Sequence, residues 1–398
     1  MKLIIHNFGP IKKAEVTFSK INVLIGPQSS GKSCLLKVAC HCAWVEKRIA
    51  LFQSADGFDI EDIFFQQLLS FHKLIGYEKK NTYISYESKF MRFEYDNYLK
   101  TFLFHWKDAR WEYKRHELSY IPAERNIIGV IPNWFEVKLN QDNLRSFLGD
   151  WEQTRKHYVQ GVDILNLGVR YRYDESKQVD LVEMDGGQSI SIAYASSGLQ
   201  SLIPLQVYLN YLSTPEEKTQ SLKSKAENEH FLDVLYKTLF VEQNKDYQQQ
   251  ERPVQYQGAE YNSKSATLAF VGGHLLTFGT QADSEACKEL YANFTTRHGI
   301  DLFIEEPELN LFPPTQKVLA EWLKDYIKGI EGNLFVSTHS PYLVDALLES
   351  TAEDDVSIML MNSQDDGVMV RNETREEIES IKYDGIDPFF NLENLVAE

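Results

Sequence analysis

One segment near the start of the chain constrains its fold more than any other. It reads Gly26-Pro27-Gln28-Ser29-Ser30-Gly31-Lys32-Ser33. The segment matches the pattern G-x-x-x-x-G-K-[ST], and it lies between the apolar run Ile21–Ile25 and a stretch with helical apolar spacing at residues 33–50. Glycines in such a loop let main-chain N–H groups converge on phosphate oxygens, and the following helix adds partial positive charge. We therefore predict an α/β fold in which a strand, a phosphate-binding loop and a helix follow one another.

Two parts of the chain provide side chains for phosphate chemistry. Lys32 is placed to reach the β- and γ-phosphates of a nucleotide, and Ser33 to give its hydroxyl to Mg²⁺. Glu305 and Glu306 follow residues 301–304, which we predict to be a buried strand because Leu302, Phe303 and Ile304 are apolar. One acid can hold Mg²⁺ through water, and the next can orient or deprotonate an attacking water molecule. A strand followed by acidic residues usually marks a solvated edge. The ligand-binding interpretation is favoured here because the chain also has the phosphate loop, and ligands of open α/β sheets bind where strands end.

Two further segments have polar residues at a strand end or at a helix start. His339 follows the apolar residues 335–336, and its imidazole can hydrogen-bond a γ-phosphate or the attacking water. Ser196, Ser197 and Gly198 open a predicted helix, whose free N–H groups and serine hydroxyls can bind an anion. Each segment by itself has a simpler explanation. His339 would be a structural histidine, and the serines would be an ordinary helix N-cap.

In chain order these segments resemble the phosphate loop, signature, acidic strand end and switch histidine of a stand-alone ABC-type ATPase of the SMC, RecF and OLD-like group. The stretches that show the resemblance are NFGPI, YIPAERN, SSGLQS, IEEPELNLFPP and STHSP. They lie within residues 1–43, about 120–125, 194–206 and 300–345. The resemblance implies an α/β P-loop NTPase of ABC type, with a mixed central sheet flanked by helices, an antiparallel N-terminal β-subdomain and helical insertions.

The same resemblance implies roles for individual residues. ATP phosphates would bind to residues 26–33, Ser33 and Glu305 would hold Mg²⁺, and Glu306 and His339 would act in hydrolysis. The residues that would contact ATP bound to the other subunit are Ser196, Ser197, Gly198 and Gln200. Such trans contacts imply a homodimer, or a larger homo-oligomer, built from ATP-sandwich dimers.

The chain departs from the family pattern at two places. Leu199 stands where the usual signature has a second glycine, which close relatives often lack as well. The Q-loop glutamine is expected after Tyr120, yet that loop contains Glu124 and Arg125 and no glutamine. Asn310 lies near the loop that relatives use across the dimer.

We predict one ABC-type ATPase domain over residues 1–398, with two insertions. Residues 51–118 are rich in aromatic side chains and alternate as strands do, which predicts a β-rich lobe. Residues 205–290 are predicted to be a helical insertion, with a mobile loop near residues 242–262 because that stretch is too polar to build a core. The residues after His339 are needed to complete the sheet, so we expect no nuclease domain there.

The charge of the chain bears on its partners. Asp and Glu number 58 against 41 Lys and Arg, and the formal net charge is −17. Such a chain repels a phosphate backbone, and no linear basic cluster is present, so DNA binding is possible but the charge does not indicate it. No apolar run is long enough for a membrane span and no export signal is visible, which predicts a cytoplasmic protein with no membrane partner.

The resemblance extends to ATPases of bacterial anti-phage systems, such as PARIS-, Septu- and retron-associated modules. It implies a slow, dimerisation-dependent ATPase that acts as sensor or scaffold and controls a separate effector protein, a nuclease or a toxin. The alternative is a RecF-like DNA-maintenance ATPase that clamps or loads on DNA, which a salt-dependent shift of duplex DNA would favour. A transporter ATPase subunit is disfavoured by Leu199 and by the large insertions.

Overall fold

A mixed β-sheet organises the part of the chain that the computed structural model describes, which is residues 1–58, 60, 62–131, 133–214, 225–241, 267–349, 351–374 and 376–377. The strands in chain order are β1 (Lys2–Phe8), β2 (Ile11–Thr17), β3 (Ile21–Ile25), β4 (Tyr83–Glu87), β5 (Met91–Asp96), β6 (Thr101–Trp106), β7 (His116–Ile121), β8 (Val162–Asp163), β9 (Val169–Asp174), β10 (Val179–Met184), β11 (Ser189–Ser191), β12 (Thr267–Val271), β13 (His274–Phe278), β14 (Gly299–Glu305), β15 (Leu334–Ser337), β16 (Val356–Gln364) and β17 (Gly367–Glu373).

Helices cover both faces of this sheet. The α-helices in chain order are α1 (Lys32–Phe52), α2 (Ile63–Phe71), α3 (Ile127–Val130), α4 (Asn143–His157), α5 (Ser197–Leu212), α6 (Lys225–Tyr236), α7 (Gln281–Thr295), α8 (Pro313–Lys328) and α9 (Pro341–Leu348). Helix α1 starts after Gly31, whose φ of 96° is a conformation that glycine adopts without steric cost. Helices α8 and α9 both begin with proline, which lacks the N–H that a first-turn residue would leave unpaired.

The main sheet has eleven strands among the described residues, in the order β6-β5-β4-β1-β2-β17-β16-β3-β15-β14-β7. Strands β3, β15, β14 and β7 are mutually parallel and adjacent. Every residue of β3 and of β14 is buried, as expected for parallel strands covered on both faces. Strands β1, β2, β4, β5 and β6 pair antiparallel, and β2 and β5 alternate buried with more exposed residues. The parallel half therefore forms the interior of the fold.

Two hydrophobic cores form, one on each face of the sheet. One contains the buried face of α1, and in it the rings of Phe303 and Phe335 stack with centroids 4.3 Å apart. The other contains Trp151 from α4, Leu205 from α5 and Leu323 from α8. Because β14 and β15 contribute side chains to both cores, the position of their carboxyl ends is tightly determined.

The structure confirms the predicted α/β fold, with a mixed central sheet flanked by helices and a glycine-containing loop between β3 and α1. The antiparallel N-terminal strands belong to this same sheet, and β4, β5 and β6 from the 51–118 region extend it at one edge. The 205–290 region is helical in α6 and α7 but also contains the hairpin β12–β13, which sequence reasoning missed. The predicted mobile loop near residues 242–262 lies outside the described residues. None of the described helices is both long and apolar enough to cross a membrane.

Candidate functional site

The segments singled out in the sequence meet at one edge of the sheet. The loop at residues 26–31 follows β3, His339 follows β15, Glu305 ends β14, and Pro122 follows β7. These four strands are adjacent and parallel, so their carboxyl ends lie side by side. A hydrogen bond from the Thr338 N–H to the Leu24 carbonyl, 3.1 Å long, joins the ends of β15 and β3. The site is therefore assembled by the strand order.

The two glycines of the phosphate loop are required by its geometry. Gly26 has φ of 154° and Gly31 has φ of 96°. A Cβ at Gly26 would lie 2.8 Å from the main-chain oxygen of Met361, and a Cβ at Gly31 would lie 2.7 Å from Cγ of Pro10. Real Cβ atoms do not approach this closely, so only glycine fits. The exposed part of the loop between the two glycines consists of Pro27, Gln28 and Ser29.

Lys32 is buried under this loop, with only 5% of its surface exposed. Its Nζ donates to the carbonyl of Gly26 at 2.9 Å and to that of Pro27 at 2.8 Å. Burial lowers the pKa of Lys32 to about 8, although the carboxylates of Glu306 and Glu308 oppose this shift. Among the described residues, the ammonium has hydrogen bonds to neutral carbonyl groups only. Carbonyls replace the lost hydration of a charge poorly, and a phosphate anion would be a stronger partner.

Glu305 is buried at the end of β14 and is held from three directions. Tyr120 Oη donates to its Oε1 at 2.5 Å, the N–H of Ala123 donates to its Oε2 at 3.2 Å, and Nζ of Lys37 lies 3.6 Å from Oε1. Lys37 is one turn beyond Ser33 on α1, so this ion pair links the acid to the helix that follows the phosphate loop. The carboxylate is thereby oriented before any ligand binds.

Glu306, the next residue, is more exposed and has a strained backbone. Its φ of 43° is left-handed, which is uncommon for a non-glycine residue. Its N–H donates to the carbonyl of Ser337 at 2.9 Å, and its Oε1 lies 3.8 Å from Nε2 of His339. Burial, together with the nearby Lys32 charge, lowers the pKa of His339, so its imidazole is neutral at pH 7. A carboxylate and a neutral imidazole therefore face the same space beside the phosphate loop.

Glu308 holds the main chain next to the Glu306–His339 pair. Its Oε1 accepts from Thr338 Oγ1 at 2.8 Å and from the N–H of His339 at 2.7 Å, and burial raises its pKa. Among the described residues its Oε2 has no hydrogen-bond partner, and neither does the buried Oγ of Ser30. Both are the kind of orphaned polar atom that a bound ligand or ion can satisfy.

The predicted signature residues start α5 but do not all point the same way. Ser196 is the N-cap, its Oγ accepting from the N–H of Leu199 at 3.5 Å, and the side chain of Ser197 is also exposed. A Cβ on Gly198 would lie 3.1 Å from the carbonyl of Asn310, so the segment that follows Glu305 and Glu306 packs against this turn. The Gln200 amide instead donates to the carbonyls of residues 192 and 193, at 3.2 and 3.1 Å. Ser196 and Ser197 are thus the exposed residues of the signature, and Gly198 beside them is half-buried.

Sequence reasoning missed four residues of this site, which are Lys37, Tyr120, Arg125 and Glu308. Tyr120 and Arg125 lie in the stretch YIPAERN, which carries the family resemblance without indicating a role for either residue. The available signal was the position of that stretch after a strand, at the edge where the other motifs were expected. The structure describes the predicted Q-loop region as the 3₁₀ turn Ala123–Asn126, which contacts Glu305 through a main-chain N–H.

The residues present fit ATP and Mg²⁺. The glycine cradle has room for main-chain N–H groups to approach phosphate oxygens, and Lys32 supplies a buried positive charge. The hydroxyl of Ser33 and the carboxylate of Glu305 are hard oxygen donors, which Mg²⁺ prefers. No cluster of three or more His, Cys, Asp or Glu ligands occurs among the described residues, so any Mg²⁺ here would depend on water and on nucleotide oxygens as well.

Three solved structures to which the chain is similar are SMC head domains. The SMC head domain from Thermotoga maritima has 11% sequence identity and a TM-score of 0.40, covering 94% of this chain and 98% of its own. An SMC head bound to the C-winged helix domain of ScpA has 11% identity, a TM-score of 0.42, and coverage of 96% and 98%. An Smc head with an extended coiled coil, bound to the C-terminal domain of ScpA from Pyrococcus furiosus, has 12% identity, a TM-score of 0.30, and coverage of 96% and 98%. No protein-family model and no curated protein matches the chain. The function is therefore argued from the geometry of the site.

Proposed function

We propose that this chain binds and hydrolyses ATP as an ABC/SMC-like ATPase. The observation that supports this most directly is the meeting of four distant segments at the carboxyl ends of β3, β15, β14 and β7. A glycine-rich loop, a buried lysine, two successive carboxylates and a neutral histidine lie together there. Transfer of a phosphoryl group to water needs these parts, because the catalyst must position the phosphate, stabilise its charge and orient the water.

The phosphate half of the site would act through charge. Lys32 would turn its ammonium from the loop carbonyls to the β- and γ-phosphates, while the loop N–H groups bind phosphate oxygens. Ser33 and Glu305 would hold Mg²⁺, which lowers the charge on the transferred phosphate when it is bound with ATP. Tyr120 and Lys37 would keep the Glu305 carboxylate in place for this role.

The water half of the site would act through proton transfer. Glu306 would orient the attacking water and accept its proton, since it is the more exposed of the two carboxylates. The neutral imidazole of His339, 3.8 Å away, would hydrogen-bond the γ-phosphate or that water. Glu308 would fix the main chain of His339 and so the direction of its ring.

We further propose that two subunits form each complete ATP site, with the exposed turn at Ser197 of one facing Lys32 of the other. Large aromatic side chains around the site support a protein contact there. Tyr194 is 83% exposed just before the signature, Phe312 is 72% exposed just after Asn310, and Tyr342 is 54% exposed at the start of α9. Exposed aromatic residues of this size are typical of interfaces.

A mixture of two inactive chains tests the shared site. Lys32→Ala removes phosphate binding in one chain, and Ser197→Arg blocks the signature of the other, so each homodimer should be inactive. Random pairing puts about half of the subunit pairs in heterodimers with one intact composite site, so ATPase activity should return to roughly a quarter of the wild-type rate. Steady-state phosphate release measures this. An inactive mixture that contains heterodimers by native mass spectrometry would contradict the shared site, as would a Ser197→Arg chain that is active alone.

The Tyr120 hydroxyl allows a test of the metal ligand. Tyr120→Phe keeps the ring, which packs 5.5 Å from His72, but removes the donor to Glu305. We expect the Mg²⁺ concentration for half-maximal ATPase to rise roughly 10- to 100-fold, as is common when a partner of a metal ligand is lost. Tyr171→Phe is the matched control, because it removes a buried tyrosine–carboxylate bond of 2.6 Å to Asp180, away from the site. An unchanged Mg²⁺ dependence in Tyr120→Phe would argue against Glu305 as the Mg²⁺ ligand.

The cellular role that we propose is that of an ATP-dependent sensor or scaffold subunit in anti-phage defence, which controls a separate nuclease or toxin. The family resemblance and the net charge of −17 support this role over the RecF-like alternative, because an acidic chain repels duplex DNA. Co-expression with the product of the neighbouring reading frame, followed by purification with and without ATP, tests it. An effector that co-purifies in a nucleotide-dependent manner is the expected result, and salt-dependent binding to duplex DNA instead would support the alternative.

A further inference from the structure

Arg125 is a buried charged residue to which the proposed ATPase mechanism assigns no role. Its side chain is 0% exposed, and burial lowers its pKa to about 10, so it remains charged at pH 7. Among the described residues no carboxylate oxygen accepts a hydrogen bond from it. The nearby charges of Glu308, Glu306 and Glu305 oppose this lowering of the pKa. Burying an arginine whose hydrogen bonds all go to neutral carbonyl groups is still costly, which suggests that the position serves something other than stability.

The hydrogen bonds of Arg125 reach three separate parts of the site. Its two Nη atoms donate to the carbonyls of Glu305 at 2.8 Å, Glu306 at 2.7 Å and Pro307 at 3.3 Å. Nη1 also donates to the carbonyl of Pro122 at 3.2 Å, in its own loop. Nε donates to the carbonyl of Ser201 at 3.1 Å, in the second turn of α5. A guanidinium has five N–H donors, and here five carbonyl groups accept from them.

These contacts bear on both halves of a shared ATP site. The Glu306 peptide has a left-handed φ of 43°, and it is bonded on one side to Ser337 and on the other to Arg125. A strained conformation of this kind persists only where its surroundings hold it. The Nε bond extends the same restraint to the helix that presents Ser197. Asn310 Nδ2 also donates to Ser201 Oγ at 2.9 Å, which is a second contact between that helix and the segment after Glu306.

We propose that Arg125 is a positioning residue that holds the Glu306 turn and the signature helix α5 together as one unit. Through the turn it sets the direction of the Glu306 carboxylate toward water in its own subunit. Through α5 it sets the position at which Ser197 meets ATP bound to the partner. This inference rests on the proposed shared-site ATPase.

The single-chain test separates positioning from folding. Arg125→Met should bind ATP within about threefold of the parent chain, because Arg125 does not touch the phosphate loop, while its turnover falls roughly 100-fold. Arg125→Lys keeps the charge but has a single nitrogen, which cannot reach three segments, so it should recover little of that rate. Arg155→Met is the matched control, since Arg155 is 4% exposed and pairs with Glu152 on α4 and with Asp180 on β10. It should lose thermal stability at least as much but keep its turnover.

Mixtures of chains separate the two halves of the proposal. Pairing Arg125→Met with Ser197→Arg leaves one site that has an intact Ser197. In that site the Glu306 turn is intact, because it belongs to the Ser197→Arg chain, and the signature comes from the Arg125→Met chain. Pairing Arg125→Met with Lys32→Ala leaves one site with an intact signature and an altered Glu306 turn. Both mixtures should be slower than the mixture of Lys32→Ala with Ser197→Arg, each by about tenfold or more.

Every other outcome of these experiments contradicts a defined part of the Arg125 proposal. Full recovery in the first mixture would overturn the role in α5, and full recovery in the second would overturn the role at Glu306. If Arg125→Met and Arg125→Lys both fail to fold, or lose ATP binding along with turnover, Arg125 is structural and the proposal is wrong. If the reference mixture is inactive while the parent chain hydrolyses ATP, the shared site fails instead, and the single-chain rates alone decide the role at Glu306.

Discussion

Replacing Lys32 with alanine should abolish ATP binding. The change removes a buried ammonium that would make about two charge-assisted hydrogen bonds to phosphate oxygens, each contributing roughly 1.5–3 kcal/mol. The expected loss of affinity is therefore roughly 10²- to 10⁴-fold, measured by calorimetry or by a fluorescent ATP analogue. Lys47→Ala is the matched control, since Lys47 lies on the same helix but pairs with Glu117 at 3.1 Å. A Lys32→Ala chain that binds ATP as the parent does would remove the phosphate loop from the mechanism.

The same residue predicts how ATP affinity depends on pH. In the free protein burial lowers the Lys32 pKa to about 8, so the amine loses its charge as pH rises through that value. Only the charged form attracts phosphate, so affinity should be full well below about pH 8 and fall above it, with proton uptake on binding. Binding isotherms from about pH 7 to about pH 9 test this, and Lys32→Ala should lose the pH dependence along with most of the affinity.

Glu306→Gln should give a chain that binds ATP and scarcely hydrolyses it. Glutamine keeps the shape of the side chain and can still hydrogen-bond water, but it cannot accept a proton at neutral pH. Loss of a general base typically slows turnover by roughly 10²- to 10⁴-fold, while ATP affinity should stay within about threefold of the parent value. Single-turnover hydrolysis and equilibrium binding measure the two quantities separately.

The control for this substitution is Glu321→Gln, an exposed carboxylate on α8 that lies 4.0 Å from Lys317 and takes no part in the site. It should leave both binding and turnover unchanged. If Glu306→Gln also lost ATP binding in the presence of Mg²⁺, Glu306 would be the metal ligand and the base would have to be sought elsewhere. Glu308 would then be the first candidate, since one of its oxygens has no hydrogen-bond partner in the described part of the chain.

The phosphate loop and its flanking elements could be predicted from the sequence because their geometry is local. Gly26 and Gly31 are required by positive φ values, and a strand and a helix beside such a loop show their own apolar periodicity. The acidic strand end and His339 were predicted for the same reason, since the acids follow an apolar run directly and His339 lies three residues after Val336. The extension of the sheet by β4 to β6 was foreseen only as a β-rich lobe, because alternation predicts a strand but not its neighbour.

The partners of the functional residues could not be predicted in this way, because they depend on strand order. Tyr120 and Glu305 are 185 positions apart in the chain, yet their side chains meet because β7 and β14 are neighbours. Arg125 looks like an ordinary polar loop residue in the sequence, and only the packing of its turn between β14 and α5 makes it a buried contact of both. Local patterns therefore specify which chemical groups the chain has and where its strands end, while long-range packing specifies which of those groups touch, since contacts between distant segments leave no periodic trace in the sequence.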